Sequence, residues 1–366
     1  MTDADLDILL QQVYEDDQPT VEDLAALLAV EDEEQMQAIF TFADDVRRQH
    51  MGDGILLRGL VEFSSHCRNT CAYCGLNRNN THVQRYRLSS DELLGCAALI
   101  ASHGIKTIVL QSGEDNGLDA NWLAEMITEV KARHDMAVTL CVGERSTEEY
   151  ALWRQAGADR YLLKIETSDE ELYGSLHPGM SFWNRLRCLD DLRMLGYQVG
   201  SGCLVGLKGQ TLASLARDIV FFAERRLDMT GIGVFIPHAM TAMHDQPHGN
   251  VALTLKVVAL TRIAVKDAHM PATTALGSIS LEDARIAALQ AGANVLMPNY
   301  TPLPYRRLYD IYPGKRCLAE TCGCDSYSDS MMKTIGRAID YSRGDSLRMP
   351  RTRTFSERVT AQIPKL

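Results

Sequence analysis

No stretch of this chain is apolar for long enough to cross a bilayer. Its longest apolar runs, at 107–110 and 231–236, are strand-sized, against the ~20 residues that a spanning helix needs. No membrane role is expected. Basic residues are too few and too scattered for a nucleic-acid partner: 37 Lys and Arg stand against 48 Asp and Glu, a formal net charge of −11, and phosphate recognition needs a positive block or stripe. The first residues, Met1-Thr-Asp-Ala-Asp-Leu-Asp7, have neither the basic n-region nor the apolar h-region of an export signal, so a cytoplasmic location is expected. No Gly-x-Gly-x-x-Gly turn follows the first strand-like run, which argues against a dinucleotide-binding doubly wound sheet.

What is present is a core-forming composition, 46% apolar over 366 residues, enough for one large barrel or two ordinary domains. The ten cysteines read as reduced thiols, several committed to metal, in a chain of this size without a secretion signal. Cys96 and Cys188 fall on apolar faces of predicted helices and read as core.

Residues 1–50 read as a helical extension. Thr20 is placed as an N-cap with Asp23 at the third position, and Met36, Ile39, Phe40, Ala43 and Val46 follow the i, i+3, i+4, i+7 spacing of an amphipathic face. This segment is expected to pack as a lid or plug. From Ile55 on, strand candidates at 56–63, 107–111, 137–142, 160–165, 198–204, 229–234, 272–275 and 294–297 alternate with helical patterns near 90–103, 119–133, 147–156, 181–195, 211–226, 253–268 and 281–290. Such alternation predicts an α/β fold, a single TIM-type (β/α)8 barrel over 51–350 with an N-terminal helical extension and a C-terminal tail over 351–366. In that fold the chemistry sits at the C-terminal ends of the strands.

The strand ends carry the informative residues. After the first strand comes Phe63-Ser-Ser-His-Cys-Arg-Asn-Thr-Cys-Ala-Tyr-Cys-Gly75, which puts Cys67, Cys71 and Cys74 at Cys-x3-Cys-x2-Cys spacing. A compact loop can wrap three thiolates at that spacing around one inorganic cluster and leave one iron open, whereas four cysteines would close it. A zinc site with His66 as fourth ligand, or buried thiols, are the other readings of the same residues. After the second strand comes Gln111-Ser-Gly-Glu-Asp115, whose small residues admit a close ligand and whose carboxylates can take an ammonium group. The third ends in Cys141-Val-Gly-Glu144 and the fourth in Lys164-Ile-Glu-Thr167.

The cysteine motif, with an aromatic residue before its last cysteine, resembles the radical S-adenosylmethionine (SAM) superfamily. Over roughly residues 25 to 350 the chain resembles more specifically the HydE-type maturases of [FeFe]-hydrogenase, in the branch that also holds methylornithine synthase and biotin synthase. The resemblance is carried by Val61-Glu-Phe-Ser64 with the cysteine loop and Cys74-Gly-Leu76, by Lys106-Thr-Ile-Val-Leu-Gln-Ser-Gly-Glu-Asp115, and by Gly157-Ala-Asp-Arg-Tyr-Leu-Leu163. Further matches are Phe235-Ile-Pro-His238, Thr254-Leu-Lys-Val-Val-Ala-Leu-Thr-Arg262, Pro271-Ala-Thr-Thr-Ala275, and Asn294-Val-Leu-Met-Pro-Asn299 with Tyr312-Pro-Gly-Lys315.

The resemblance implies an enzyme that reductively cleaves SAM to a 5′-deoxyadenosyl radical. It implies a 4Fe-4S cluster on Cys67, Cys71 and Cys74, with SAM bound by the backbone at Tyr73, by Ser112, Gly113 and Glu114, by Cys141, by Glu166 at the ribose, and by Arg185 at the carboxylate. A guanidinium fork suits a carboxylate because both are planar and bidentate. The implied substrate pocket holds Lys164, Met229, Thr273, Thr274 and Met297; for the two methionines ordinary core packing is an equal reading. For Thr273 and Thr274 strand alternation would turn only one side chain inward. The implied substrate is an organometallic iron-cysteine complex bearing CO and cyanide, made by a tyrosine-lyase maturase, with the product passing to a scaffold GTPase and with electrons from an external donor. A carbon-skeleton mutase of the methylornithine type, acting on an amino acid, and a non-catalytic iron-sulfur carrier are the alternatives.

Three positions depart from the family pattern. Lys164 and Ile165 precede Glu166 where some members have arginine and histidine, and Cys141 stands where some have serine. Cys317, Cys322 and Cys324 lie at Cys-x4-Cys-x-Cys spacing, whereas relatives with an accessory cluster have Cys-x7-Cys-x2-Cys. These cysteines are therefore expected to be ordinary surface thiols, and any second cluster there to be labile and dispensable.

Overall fold

A computed structural model of the chain describes residues 1–16, 19–279, 283–316 and 324–348. Three helices open it: α1 (Asp3–Glu15), α2 (Val21–Leu28) and α3 (Glu33–Met51). Each begins at a side-chain cap, Thr2, Thr20 and Asp32 respectively, which satisfies an amide that the first turn cannot. Their apolar faces, including Leu24, Leu27, Ile39 and Ala43, are fully buried.

β1 (Ile55–Leu57) and β2 (Gly59–Ser64) then lead into alternating helix and strand: α4 (Ser90–Ser102), β3 (Thr107–Ser112), α5 (Ala120–Arg133), β4 (Ala137–Cys141), α6 (Thr147–Gln155), β5 (Arg160–Leu162), α7 (Glu170–Leu176), α8 (Phe182–Met194) and β6 (Gln198–Ser201). Next come β7 (Leu204–Val205), α9 (Leu212–Glu224), β8 (Met229–Thr230), β9 (Gly233–Val234), α10 (Val251–Val265), α11 (Thr274–Ser278), α12 (Arg285–Gln290), β10 (Val295–Leu296), α13 (Leu303–Arg306), α14 (Cys324–Ile335) and β11 (Ile339–Asp340). The parallel order β2-β3-β4-β5-β6-β8 is one sheet. It closes through single bridges, Met229 to His269, Pro271 to Val295 and Leu60 to Asn299, and through the pairing of β1 with β10. The result is the expected (β/α)8 barrel. Among the described residues no helix is long and apolar enough to cross a membrane.

The chain departs from the sequence reading in three ways. The N-terminal helices are neither lid nor plug: α2 packs on α9 and α3 on α10, outside the barrel, and Lys256 from α10 donates to Val30 O at 2.6 Å. Among the described residues the plug is 341–348, which follow β11. It fills the N-terminal rim, where the fully buried Arg160 donates to Arg343 O at 2.7 Å, to Gly344 O at 3.0 Å and to Asp345 Oδ1 at 2.7 Å. The expected seventh strand at 272–275 is absent. Barrel closure uses His269 and Pro271 instead, and Thr274 already begins α11. The expected fifth and sixth strands are each split, at Gly202-Cys203 and Gly231-Ile232, where glycine offers no side chain to hold the pleat.

Candidate functional site

The cysteine loop leaves β2 at the C-terminal mouth, and its shape is set by charge and carbonyl contacts. Arg85 donates to Ser65 O at 2.6 Å, Leu76 O at 2.9 Å and Asn77 O at 2.8 Å, gathering both ends of the loop. Arg87 clamps Asp115 at 2.7 and 2.8 Å while Ser64 Oγ donates to the same carboxylate at 2.7 Å. Burial works against the charge of Asp115, but these partners hold its carboxyl below the usual range.

Cys67, Cys71 and Cys74 are half-buried free thiols. Burial pushes Cys71 upward and the neighbouring Cys74 and Cys67 add to it; burial with Cys67 carries Cys74 up to about 12. The thiolate is the metal ligand, so metal binding at these three neighbouring soft donors would release their protons to solvent. Burial, reinforced by the charges of Arg87 and Arg85 and opposed by Asp115, lowers the His66 imidazole from its ordinary value. Among the described residues no three His, Cys, Asp or Glu groups are arranged to hold a single metal ion.

The turn after β3 packs directly on this loop. A Cβ at Gly113 would lie 2.3 Å from His66 O and 2.8 Å from Cys67 Cβ, so only glycine permits the approach. Glu114 is buried; its Oε1 accepts from Arg68 Nε at 2.6 Å and its Oε2 from the amide of Glu144 at 2.8 Å. Ser112 Oγ donates to Gly113 O at 2.7 Å.

Arg185 on α8 is buried and donates through Nε to Glu144 Oε1 at 2.6 Å and through Nη1 to Lys164 O. Asn184 donates to the other oxygen of Glu144 at 2.6 Å, and the Arg185 guanidinium lies 5.8 Å from the Tyr173 ring centroid. Burial opposes its charge, yet Tyr173 and Glu144 more than offset this and hold it protonated. Beside it, His177 bonds through Nε2 to the hydroxyl of Tyr73 at 3.1 Å. Burial, reinforced by the charge of Arg185, lowers His177 to about 3, so the imidazole is neutral.

Glu166 adopts φ +64°, a left-handed conformation that is uncommon for a non-glycine residue and worth noting at a site. Lys164 Nζ reaches its carboxylate at 2.8 Å. Glu62, Gln111 and Cys141 are register partners on β2, β3 and β4, so their side chains share the lumen face. Burial pushes Cys141 up to about 12 against the opposing charge of Lys164. Thr273 precedes α11 and its Oγ1 is buried without a partner among the described residues, while Thr274 is the first residue of that helix. Met229 accepts a bond from Arg58 Nη1 at 2.8 Å, and Met297 is half-buried. Cys317 and Cys322 lie outside the described residues.

Sequence reasoning overlooked several participants: Arg68, Arg85, Asn184 and the Lys315–Glu62 pair at 2.7 Å. It quoted Glu144 without giving it a role. The available signal was the run 63–90, which has four arginines and no acid in an acidic chain.

Residues 61–222 match the family described as the Radical SAM superfamily. The chain is 46% identical over 319 residues to the [FeFe] hydrogenase maturase subunit HydE of Thermotoga maritima, covering 87% of this chain and 91% of that protein. It is 28% identical over 298 residues to a 3-methylornithine synthase of Methanosarcina acetivorans, covering 81% and 84%. A crystal structure of methylornithine synthase (PylB) superposes with a TM-score of 0.80 at 26% identity, covering 91% of this chain and 97% of that one. With the cysteine loop, the Gly113 turn and Glu166 gathered at one barrel mouth, this likeness settles the assignment: the chain belongs to the HydE family of [FeFe]-hydrogenase maturases, within the radical SAM superfamily, whose enzymes use a 4Fe-4S cluster and SAM.

Proposed function

We propose that Cys67, Cys71 and Cys74 hold the 4Fe-4S cluster and that the lumen beneath them binds an iron-cysteine complex bearing CO and cyanide, on the way to the di-iron subcluster of [FeFe]-hydrogenase. The observation that carries this reading is the packing of the Gly113 turn on Cys67, at a distance only glycine allows. When bound, the cluster, reduced by an external donor, would supply one electron to the sulfonium of SAM, whose carbon–sulfur bond would break to give methionine and a 5′-deoxyadenosyl group.

The chain's own residues bind, orient and exclude water. Glu114 and Ser112 face the SAM amine, Glu166 the ribose, the backbone at Tyr73 the adenine, and Cys141 the SAM side of the lumen. Arg185, preset by Glu144 and Asn184, offers its remaining edge to the SAM carboxylate as a charge-assisted fork. Lys164, Met229, Thr273, Thr274 and Met297 line the substrate space; the unpartnered hydroxyl of Thr273 supports a polar ligand there, because a buried hydroxyl without a partner is costly. A closed lumen keeps a reactive radical from water and holds reacting atoms near attack distance, while the cofactor carries the hard chemistry.

An external electron donor, a tyrosine-lyase maturase upstream and a scaffold GTPase downstream complete the proposed pathway, in the cytoplasm. Any second cluster at Cys317, Cys322 and Cys324 is dispensable in this reading.

The test is anaerobic reconstitution with iron and sulfide, then SAM and dithionite. Wild type should release 5′-deoxyadenosine and Cys71→Ala none; full activity in Cys71→Ala sinks the cluster assignment. The likeness to methylornithine synthase supports one second reading, an amino-acid mutase. SAM-dependent formation of 3-methylornithine from an amino acid would favour it.

A further inference from the structure

The last cluster cysteine is followed by a contact that nothing above requires. Gly75 sits so tightly that a Cβ there would lie 2.2 Å from Asp310 O and 2.7 Å from the ring of His238. Its amide donates to Ile311 O at 2.9 Å. His238, which is buried, accepts from the amide of Met240 through Nδ1 at 3.1 Å. Its proton is therefore on Nε2, which donates to Asp310 Oδ2 at 3.0 Å. Asn77 Nδ2 joins the same loops by donating to Cys74 O at 2.8 Å and Met240 O at 3.1 Å.

The segment that holds Gly75 is pinned at its other end inside the barrel. Lys315 Nζ donates to Glu62 Oε1 at 2.7 Å and back to Tyr309 O at 2.9 Å, closing residues 309–315 into a loop whose ends meet. Glu62 is held from the far side by Asn299 at 3.0 Å. The buried Tyr309 receives a bond from Gln111 at 3.3 Å through its hydroxyl. One short loop thus touches the lumen face of β2 and β3 and the backbone immediately after Cys74.

We propose that residues 309–315 form a strap across the barrel mouth that registers Cys74 against the lumen, with Lys315 and His238 as its positioning residues. Lifting the strap breaks the Lys315–Glu62 pair, the Asp310–His238 bond and the Ile311–Gly75 bond together, because seven residues span all three. Lumen occupancy and the geometry at Cys74 are therefore coupled through a continuous set of bonds. The inference rests on the assignment of Cys74 as a cluster ligand, and its test separates the two.

Two perturbations attack the strap from opposite ends: Glu62→Gln with Lys315→Gln, which leaves no unpaired buried charge, and His238→Phe, with His238→Gln as the conservative variant that can still donate to Asp310. Amide exchange is followed in the cluster-free protein. Both perturbations should speed exchange across 72–80 by about tenfold, the order expected for one or two lost buried hydrogen bonds, and His238→Gln should restore protection. In reconstituted protein with SAM, the electron paramagnetic resonance signal of the reduced cluster should shift in both perturbed proteins. Faster exchange confined to 309–316, with an unchanged signal, overturns the proposal. A wild type that holds no iron and sulfide defeats the cluster assignment, and the exchange experiment then still decides the strap.

Discussion

Replacing Arg185 by alanine has two separable consequences. In the folded protein Arg185 and Glu144 are both buried, with side chains 8% and 6% exposed and 2.6 Å between Nε and Oε1. Removing the cation leaves a buried carboxylate with Asn184 as its recorded side-chain partner, and breaking a buried pair from one side costs about 3–5 kcal/mol of stability. The proposed bond to the SAM carboxylate is a separate contribution, about 1.5–3 kcal/mol for hydrogen bonds to charged groups, or roughly a 10- to 150-fold loss of affinity. The double variant Arg185→Ala with Glu144→Ala distinguishes them. It removes the stranded carboxylate, so denaturant unfolding should show most of the stability regained, whereas calorimetry should show SAM binding as weak as in the single variant. The reasoning is refuted if SAM affinity is unchanged in Arg185→Ala. It is refuted equally if the double variant recovers wild-type affinity, because Arg185 would then act only by occupying Glu144.

Gly113→Ala should fold but reconstitute with much less iron, since the new methyl group meets His66 O at 2.3 Å and backbone atoms cannot step aside; iron and sulfide analysis checks it. His177, lowered from 6.5 to about 3 by burial and by Arg185, binds a proton more readily unfolded than folded. Its contribution is therefore complete above the unfolded value and is lost as pH falls through the window between those two values. His177→Phe should flatten the acid limb of a stability–pH profile in that window, and an unaltered limb counts against the assignment. The triple alanine variant at Cys317, Cys322 and Cys324 should keep its SAM-cleaving cluster and most of its 5′-deoxyadenosine production. Loss of that activity in a folded protein still carrying the first cluster would make the segment functional.

What the sequence by itself determined is what depends on residues close along the chain. Cysteine spacing, helix caps such as Ser89 with Glu92, and apolar periodicity are local, so the cysteine loop, most of the helices and the barrel class were legible before any coordinate. The position of each motif just past a strand pointed to the barrel mouth for the same reason. Tertiary structure alone decided what faces what. Glu144 meets Arg185 across 41 residues and Lys315 meets Glu62 across 253, pairings that exist because closing a barrel brings distant strand ends to one rim. The seventh strand was misplaced because two bridges at His269 and Pro271 suffice to close the ring, and bridges carry no periodic signal. The plug beneath Arg160 was invisible because a buried guanidinium can be satisfied by the carbonyls of Arg343 and Gly344, and every residue type supplies a carbonyl.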